Sequence, residues 1–350
     1  MPFYNTYPGF LYRQFFICPS RVPSSLSLHG RAGMVTGANT GLGYHASLQL
    51  LNSGLSRLIL AVRNVAKGEA ARETLLASVS ESNKPPIVEV WELDLASYSS
   101  ITAFVERLKQ SGIHLDFAIL NAGVANFTYG LNASTGHEDS IQINWLSTAL
   151  LTLLLMPVLD QQAAANNERP RPIISIVGSE TAAWAKFKEA QTATEQQTSL
   201  VKALDAEGNF DMTDRYYTSK LLYQLFFLEL VRNHRSSALR ASGTVLNIVN
   251  PGFCYGSELH RGVEGALGMV LGGMKRVVGR SVSMGARTLV HAAVLAGAES
   301  NGKYLSDNRP APFAGYGDRL LGRTTQGEVW DETVTELRSV VDMTKLLSEI

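Results

Sequence analysis

Beyond about residue 30 the chain alternates between short apolar runs and longer stretches whose apolar positions recur every three or four residues. The runs at residues 34–36, 58–62, 87–93, 115–120, 173–177 and 245–249 predict strands that are apolar on both faces, as in a parallel sheet covered on each side. The stretches at residues 44–52, 65–79, 99–110, 140–159 and 215–232 predict the helices that cover it. Strand and helix in alternation imply an α/β architecture, a doubly wound, mostly parallel sheet of about seven strands flanked by helices. No repeat of solenoid length and no low-complexity tract breaks residues 30–310, so one domain is expected there.

Two segments exceed what this pattern needs. One, at about residues 182–212, is polar and begins with Trp184 and Phe187; the other, at about 256–284, is rich in glycine and methionine. Ligands of doubly wound folds bind outside the carboxyl ends of the strands, so both insertions are expected beside a substrate cleft, the second as a lid. Residues 1–29 form an extension whose aromatic stretch from Phe10 to Ile17 is interrupted by Arg13 and is too short to span a bilayer. Packing on the domain is expected, with contact at a membrane surface as the alternative. In residues 311–350, Trp330, Val334, Leu337 and Val341 stand at helical spacing and predict a helix docked on the body. The apolar stretch at residues 145–159 contains Ser147, Thr148, Thr152 and Pro157, and is expected to be a core helix with no transmembrane span.

A chain of 350 residues with 45% hydrophobic content can bury a large core. Its formal net charge is zero, which gives no footprint for nucleic acid or an anionic membrane. Cys18 and Cys254 are too few for a disulfide framework and lack metal-ligand spacing, so a cytoplasmic setting and no metal are expected. Asn126-Phe127-Thr128 and Asn132-Ala133-Ser134 match glycosylation acceptors but follow no cleavable secretory signal, and are taken as accidental.

The candidate chemistry begins at Thr36-Gly37-Ala38-Asn39-Thr40-Gly41-Leu42-Gly43, between a predicted strand and a predicted helix. Glycines there let the backbone approach a pyrophosphate, and the helix start offers N–H groups and a positive dipole end, as in a Rossmann fold. The second strand ends at Arg63, where an acidic residue would favour NAD; a guanidinium suits a phosphate, which favours NADP(H), although a solvated arginine is the alternative. Asp94 follows the third strand and can accept from an adenine amino group or cap the next helix. Asn121-Ala122-Gly123 follows the fourth, where small residues admit close approach of a cofactor. Tyr216 is the one tyrosine with a lysine four residues on, Lys220. That spacing puts both on one helical face, where the ammonium can lower the phenol pKa for proton transfer.

Together with Asn144, Ser179 and Pro251-Gly252, these motifs in this order resemble the short-chain dehydrogenase/reductase superfamily over roughly residues 30–310. Arg63-Asn64, Lys67-Gly68-Glu69 and the stretch from Gly302 to Asp307 look like the retinol-dehydrogenase-like branch common in fungal secondary metabolism. The resemblance implies a single-domain Rossmann fold in which Tyr216 is the general acid/base. It further implies that Lys220 lowers its pKa and holds the nicotinamide ribose, that Ser179 hydrogen-bonds the reacting oxygen, and that Asn144 orders a water for proton relay. Thr36, Gly37, Asn39, Thr40, Gly41, Leu42, Gly43, Arg63, Asp94, Asn121, Ala122, Gly123, Pro251 and Gly252, with Tyr216 and Lys220, would hold the cofactor. After Pro251-Gly252 the family's usual threonine is missing, with Ser257 as a substitute, and the interval from Ser179 to Tyr216 is longer than in minimal members. A homodimer or tetramer is usual for such relatives, unless the extra segments block the interfaces.

Trp184, Phe187, Phe253, Tyr255, Met269 and Met274 supply an expected cleft wall with few charges, which suits a small apolar ketone, aldehyde or alcohol. The expected function is therefore NADP(H)-dependent hydride transfer between a carbonyl and an alcohol. Three rivals are a non-catalytic NADP-binding redox sensor, an interaction module built on residues 182–212, and an epimerase using transient hydride transfer. Intact Tyr216 and Lys220 count against the first; survival of function in Tyr216→Phe would mark the second, and absence of net cofactor turnover the third.

Overall fold

The computed structural model describes residues 3–79, 85–165, 169–256, 277–315 and 320–350. Seven parallel strands and one antiparallel edge strand form its main sheet: β1 (Ala32–Thr36), β2 (Arg57–Val62), β3 (Ile87–Glu92), β4 (Phe117–Leu120), β5 (Ile173–Val177), β6 (Val245–Asn250), β9 (Lys303–Ser306) and β10 (Arg309–Ala311). Their order is β10-β9-β6-β5-β4-β1-β2-β3, with β10 antiparallel to β9. A short pair, β7 (Cys254–Tyr255) and β8 (Arg280–Ser281), lies apart from it. Every residue of β1, β4, β5 and β6 is buried. That double-sided burial is why these strands read as continuous apolar runs.

Two apolar cores lie along the sheet. One gathers residues of α4 (Tyr98–Ser111), the long helix Asp139–Ala165, α9 (Met212–Glu229) and α12 (Leu320–Leu337). The other gathers α2 (Gly41–Asn52), Leu75 of α3 (Val65–Ser78) and α11 (Val282–Val290). The long helix comprises α5 (Asp139–Ile141), a π-helical segment Gln142–Ser147 and α6 (Thr148–Ala165). It is apolar and long enough to cross a membrane, but its most apolar window is 94% buried inside the fold, as expected of a core helix.

The insertion after β5 is folded: α7 (Lys188–Glu195) and α8 (Leu200–Asp205) pack together, with Ala193, Leu200, Val201 and Leu204 buried. Buried Arg215, on α9, holds it by ion pairs to Glu189 at 3.3 Å and Glu138 at 3.8 Å. On α12, Trp330, Val334 and Leu337 are buried, and Trp330 stacks on Phe226 of α9 with ring centroids 5.4 Å apart. A last helix, α13 (Met343–Ser348), follows, after α10 (Ser237–Ser242) earlier in the chain. At the other end α1 (Tyr7–Phe16) is a docked helix, capped by Thr6, whose hydroxyl accepts from the Gly9 N–H at 3.2 Å.

Candidate active site

The strand order reverses between β1 and β4, and such a switch point opens a crevice at the carboxyl edge of the sheet. Most of the predicted residues lie just past the strand ends at that edge, while Asn144, Tyr216 and Lys220 are carried on helices. The Thr36 hydroxyl closes the crevice floor, accepting from the backbone N–H groups of Asn121 and Ala122, each at 2.9 Å. The Asn121 amide donates to the Thr36 carbonyl at 2.9 Å, so the turns after β1 and β4 form one unit. Gly37 and Gly41 have φ of +63° and +57°, and a Cβ on Gly43 would lie 2.5 Å from the Gly37 carbonyl oxygen. Only glycine permits that turn. Asn39, Thr40 and Leu42 complete it, all half-buried, and the first turn of α2 carries no acidic residue to neutralise its positive end.

Arg63 is exposed, one residue past β2. Asn64 caps α3 by accepting from the Lys67 N–H at 2.9 Å. Burial pushes the Asp139 carboxyl up, and the Arg63 charge is near enough to oppose that push. Asp94 is half-buried after β3, with one carboxylate oxygen accepting from the Ala96 N–H at 2.9 Å. Asp94 does not cap α4: Ser97 does, accepting from the Ser100 N–H at 3.3 Å.

Asn144 lies in the π-helical segment, a distortion frequent at functional sites. Its side-chain oxygen accepts from the Val124 N–H at 2.9 Å, and its amide donates to the Val124 carbonyl at 2.8 Å and to the Ser219 hydroxyl at 3.0 Å. The side chain therefore staples the loop after β4 to α9. A Cβ on Gly123 would meet the Asn144 side-chain oxygen at 2.9 Å and the Lys220 ammonium at 3.5 Å, so this close approach also requires glycine.

Asp211 starts α9 by accepting from the N–H groups of Thr213 and Asp214, each at 3.0 Å. Tyr216 and Lys220 follow on one face. The Lys220 ammonium donates to the Val177 carbonyl at the end of β5 (3.0 Å) and lies 5.9 Å from the centre of the Tyr216 ring. Burial pushes this ammonium down to about 8. Ser179 hydrogen-bonds both the Tyr216 phenol and the Thr181 hydroxyl. Burial pushes the phenol up to about 12, with the Ser179 bond opposing it. The lowering expected from Lys220 is thus not supplied by the protein groups alone: the ammonium is directed at a carbonyl. Past β6, the Gly252 N–H donates to the Asn250 side chain at 3.1 Å, which fixes the turn at Pro251-Gly252.

The predicted cleft wall divides. Trp184 is half-buried and stands edge-on to Tyr217, with centroids 6.2 Å apart, and Phe253 is half-buried too. Phe187 is 2% exposed and belongs to the core, so it lines no cleft; it reads as a wall residue in sequence only because it adjoins Trp184. Tyr255 is exposed, whereas Ser257, Met269 and Met274 fall outside the described residues. Asn132 is buried, its side chain accepting from the Ser134 N–H at 2.8 Å, so its acceptor triplet is structural. Sequence reasoning missed Glu180, buried beside Ser179 and paired with Arg13. The signal was Arg13 itself, a charge inside an aromatic run.

These features fit a dinucleotide: a glycine turn closed to side chains, a helix start free of acids, and a buried cation beside a glycine. The family model described as short chain dehydrogenase matches residues 32–167. The short-chain dehydrogenase fogG of Aspergillus ruber is 40% identical over 342 residues, covering 94% of this chain and 93% of its own. The chain belongs to the short-chain dehydrogenase/reductase family. The solved Pseudomonas aeruginosa RhlG/NADP active-site complex is similar in fold, with TM-score 0.55 at 19% identity over 81% of this chain and 97% of that one. A 3-ketoacyl-(acyl-carrier-protein) reductase from Brucella melitensis complexed with NADH has the same TM-score, 0.55, at 15% identity, covering 80% of this chain and 97% of that one. Membership makes this chain an oxidoreductase that uses a nicotinamide cofactor, and its likeness to both an NADP and an NADH complex leaves the choice of cofactor to its own residues.

Proposed function

We propose that the chain is a cytoplasmic, NADP(H)-dependent reductase that interconverts a ketone or aldehyde and an alcohol on an apolar substrate, in fungal secondary metabolism. The observation that carries this reading is the cluster of Ser179, Tyr216 and Lys220 at the carboxyl edge of β5. Bound NADPH would supply the hydride. In reduction the Ser179 hydroxyl donates a hydrogen bond to the substrate oxygen and steadies the charge that grows there. Tyr216 then gives that oxygen its proton and is left as a phenolate, which the Lys220 ammonium would stabilise once the cofactor is bound. Oxidation runs the same proton path in reverse. Asn144 acts here as a staple that keeps Gly123 close to Lys220. Arg63, exposed past β2, would pair with the 2′-phosphate.

The test is oxidation of NADPH and NADH by wild type, Tyr216→Phe and Arg63→Ala, against a panel of apolar ketones and aldehydes. Tyr216→Phe is expected to lower kcat by about 10²–10⁴-fold with NADPH still bound. Loss of one charge-assisted contact in Arg63→Ala is expected to raise KM for NADPH roughly tenfold or more, with KM for NADH little changed. Full turnover in Tyr216→Phe would refute the assignment, and an equal effect of Arg63→Ala on both cofactors would refute the NADP preference.

A further inference from the structure

We infer that α1 is a wall of the substrate site, with Phe10 selecting for aromatic substrates and Arg13 clamping the helix in place; this deepens the proposed carbonyl reduction and rests on it. The chains leaving β5 and β6 carry Ser179 and Pro251-Gly252 at the carboxyl edge of the sheet, where ligands of doubly wound folds bind. Helix α1 and the residues before it bridge both. Trp184, in the first loop, donates from its indole to the Asn5 carbonyl at 3.1 Å. Gln14 donates to the carbonyl of Phe253, in the second, at 2.9 Å. Phe10, buried on the inner face, stands edge-on to Trp184 at 5.4 Å and to Phe253 at 6.3 Å.

From Phe10 the aromatic rings continue to the reaction centre: Trp184 to Tyr217 at 6.2 Å, and Tyr217 to Tyr216 at 6.3 Å. A flat, apolar guest seated beside this row would meet ring faces and edges. The expected substrate is thus an aromatic aldehyde or ketone in preference to a small aliphatic one.

The clamp is a buried, charge-balanced group of four. Arg13 pairs with Glu180, next to Ser179, and lies 3.8 Å from Asp307. Arg280 pairs with Asp307 at 2.7 Å and donates to the Arg13 carbonyl at 3.4 Å. Asp307 and Asn308 have φ of +53° and +65°, as in the tight turns that join two antiparallel strands, and here they join β9 to β10 and present Asp307 to the group. Removal of Arg13 leaves Glu180 buried without its cation, a strongly unfavourable state that favours release of the helix.

The test measures binding of 1-naphthaldehyde and cyclohexanone to NADP⁺-loaded wild type, Phe10→Ala, Arg13→Met and the double variant by calorimetry, with NADPH-driven turnover and melting curves alongside. Phe10→Ala is expected to weaken 1-naphthaldehyde at least fivefold more than cyclohexanone, while NADP⁺ affinity holds. Arg13→Met is expected to reproduce that change in selectivity, and the double variant to add little to either, because all three lose the same wall. Should Arg13→Met fail to fold, Phe10→Ala decides. Turnover with selectivity unchanged in Phe10→Ala overturns the wall and leaves the reductase. Selective binding lost in Phe10→Ala, with no turnover in wild type, upholds the wall and overturns the reductase. Turnover of cyclohexanone in wild type with neither binding nor turnover of 1-naphthaldehyde overturns the wall and leaves the reductase.

Discussion

Lys220 carries more of the proposed chemistry than its position four residues after Tyr216 reveals. Burial holds its ammonium at about 8, and burial opposed by the Ser179 hydrogen bond holds the Tyr216 phenol at about 12, so in the protein the lysine is the first of the pair to lose its proton as pH rises. The sign follows directly. A phenol with so high a pKa keeps its proton throughout the neutral range and remains a competent acid, whereas the charge that stabilises the resulting phenolate disappears above about 8. The pH profile of kcat/KM for reduction, which reports on free enzyme, is expected to be level below that point and to fall by about tenfold per pH unit above it. A profile level to pH 10 would separate Lys220 from the reaction. The identity of these two residues was legible in sequence, because Tyr-x-x-x-Lys is a local pattern. The direction of the ammonium was not, since it depends on where the Val177 carbonyl ends β5.

Among the elements, α9 does the positioning, and its length comes from local chemistry and from buried partners. Asp211 caps it, Arg215 ties it to α7, and Ser219 receives the Asn144 amide from the π-helical segment. A second tie, far along the chain, holds the insertion and α12 together: His137 faces Asp205 at 2.8 Å and Glu336 at 3.0 Å. Burial would depress the imidazolium, but hydrogen bonds and charge from Asp205 and Glu336 outweigh it and raise the pKa to about 9. A folded pKa above the ordinary value of 6.5 means stabilisation complete below 6.5 and lost as pH rises through 9. His137→Gln is expected to melt several degrees below wild type at pH 6 and to match it near pH 10; an equal deficit at both would show that the charge is not responsible. The sequence hid this tie because its three members lie on separate elements. The same holds for Arg13 and Glu180, whereas six strands and five of the helices flanking them were legible in their periodicity.

For the whole molecule, the parallel sheet explains why one end collects the chemistry: β1, β4, β5 and β6 all release their chains at the carboxyl edge, and each release point carries a predicted residue. Six parallel strands were visible as apolar runs; β9 was not assigned, because its stretch from Gly302 to Asp307 was read only as a family motif, and β10 not at all, since Arg309–Ala311 is largely solvent-facing and contains a proline. The helices of residues 182–212 escaped notice because their polar composition resembles decoration, although their buried faces meet the core through few residues. The proposed hydride transfer to a carbonyl carbon is the claim that draws on sheet, site and family together, and isotopic transfer tests it most directly. NADPH deuterated on the transferable position of nicotinamide C4 would be incubated with the enzyme and an apolar aromatic aldehyde, and the alcohol analysed by mass spectrometry. The account predicts one deuterium on the carbinol carbon, with the labelled alcohol formed about 10²–10⁴-fold more slowly in Tyr216→Phe; bound cofactor that never passes its label to the substrate would contradict it.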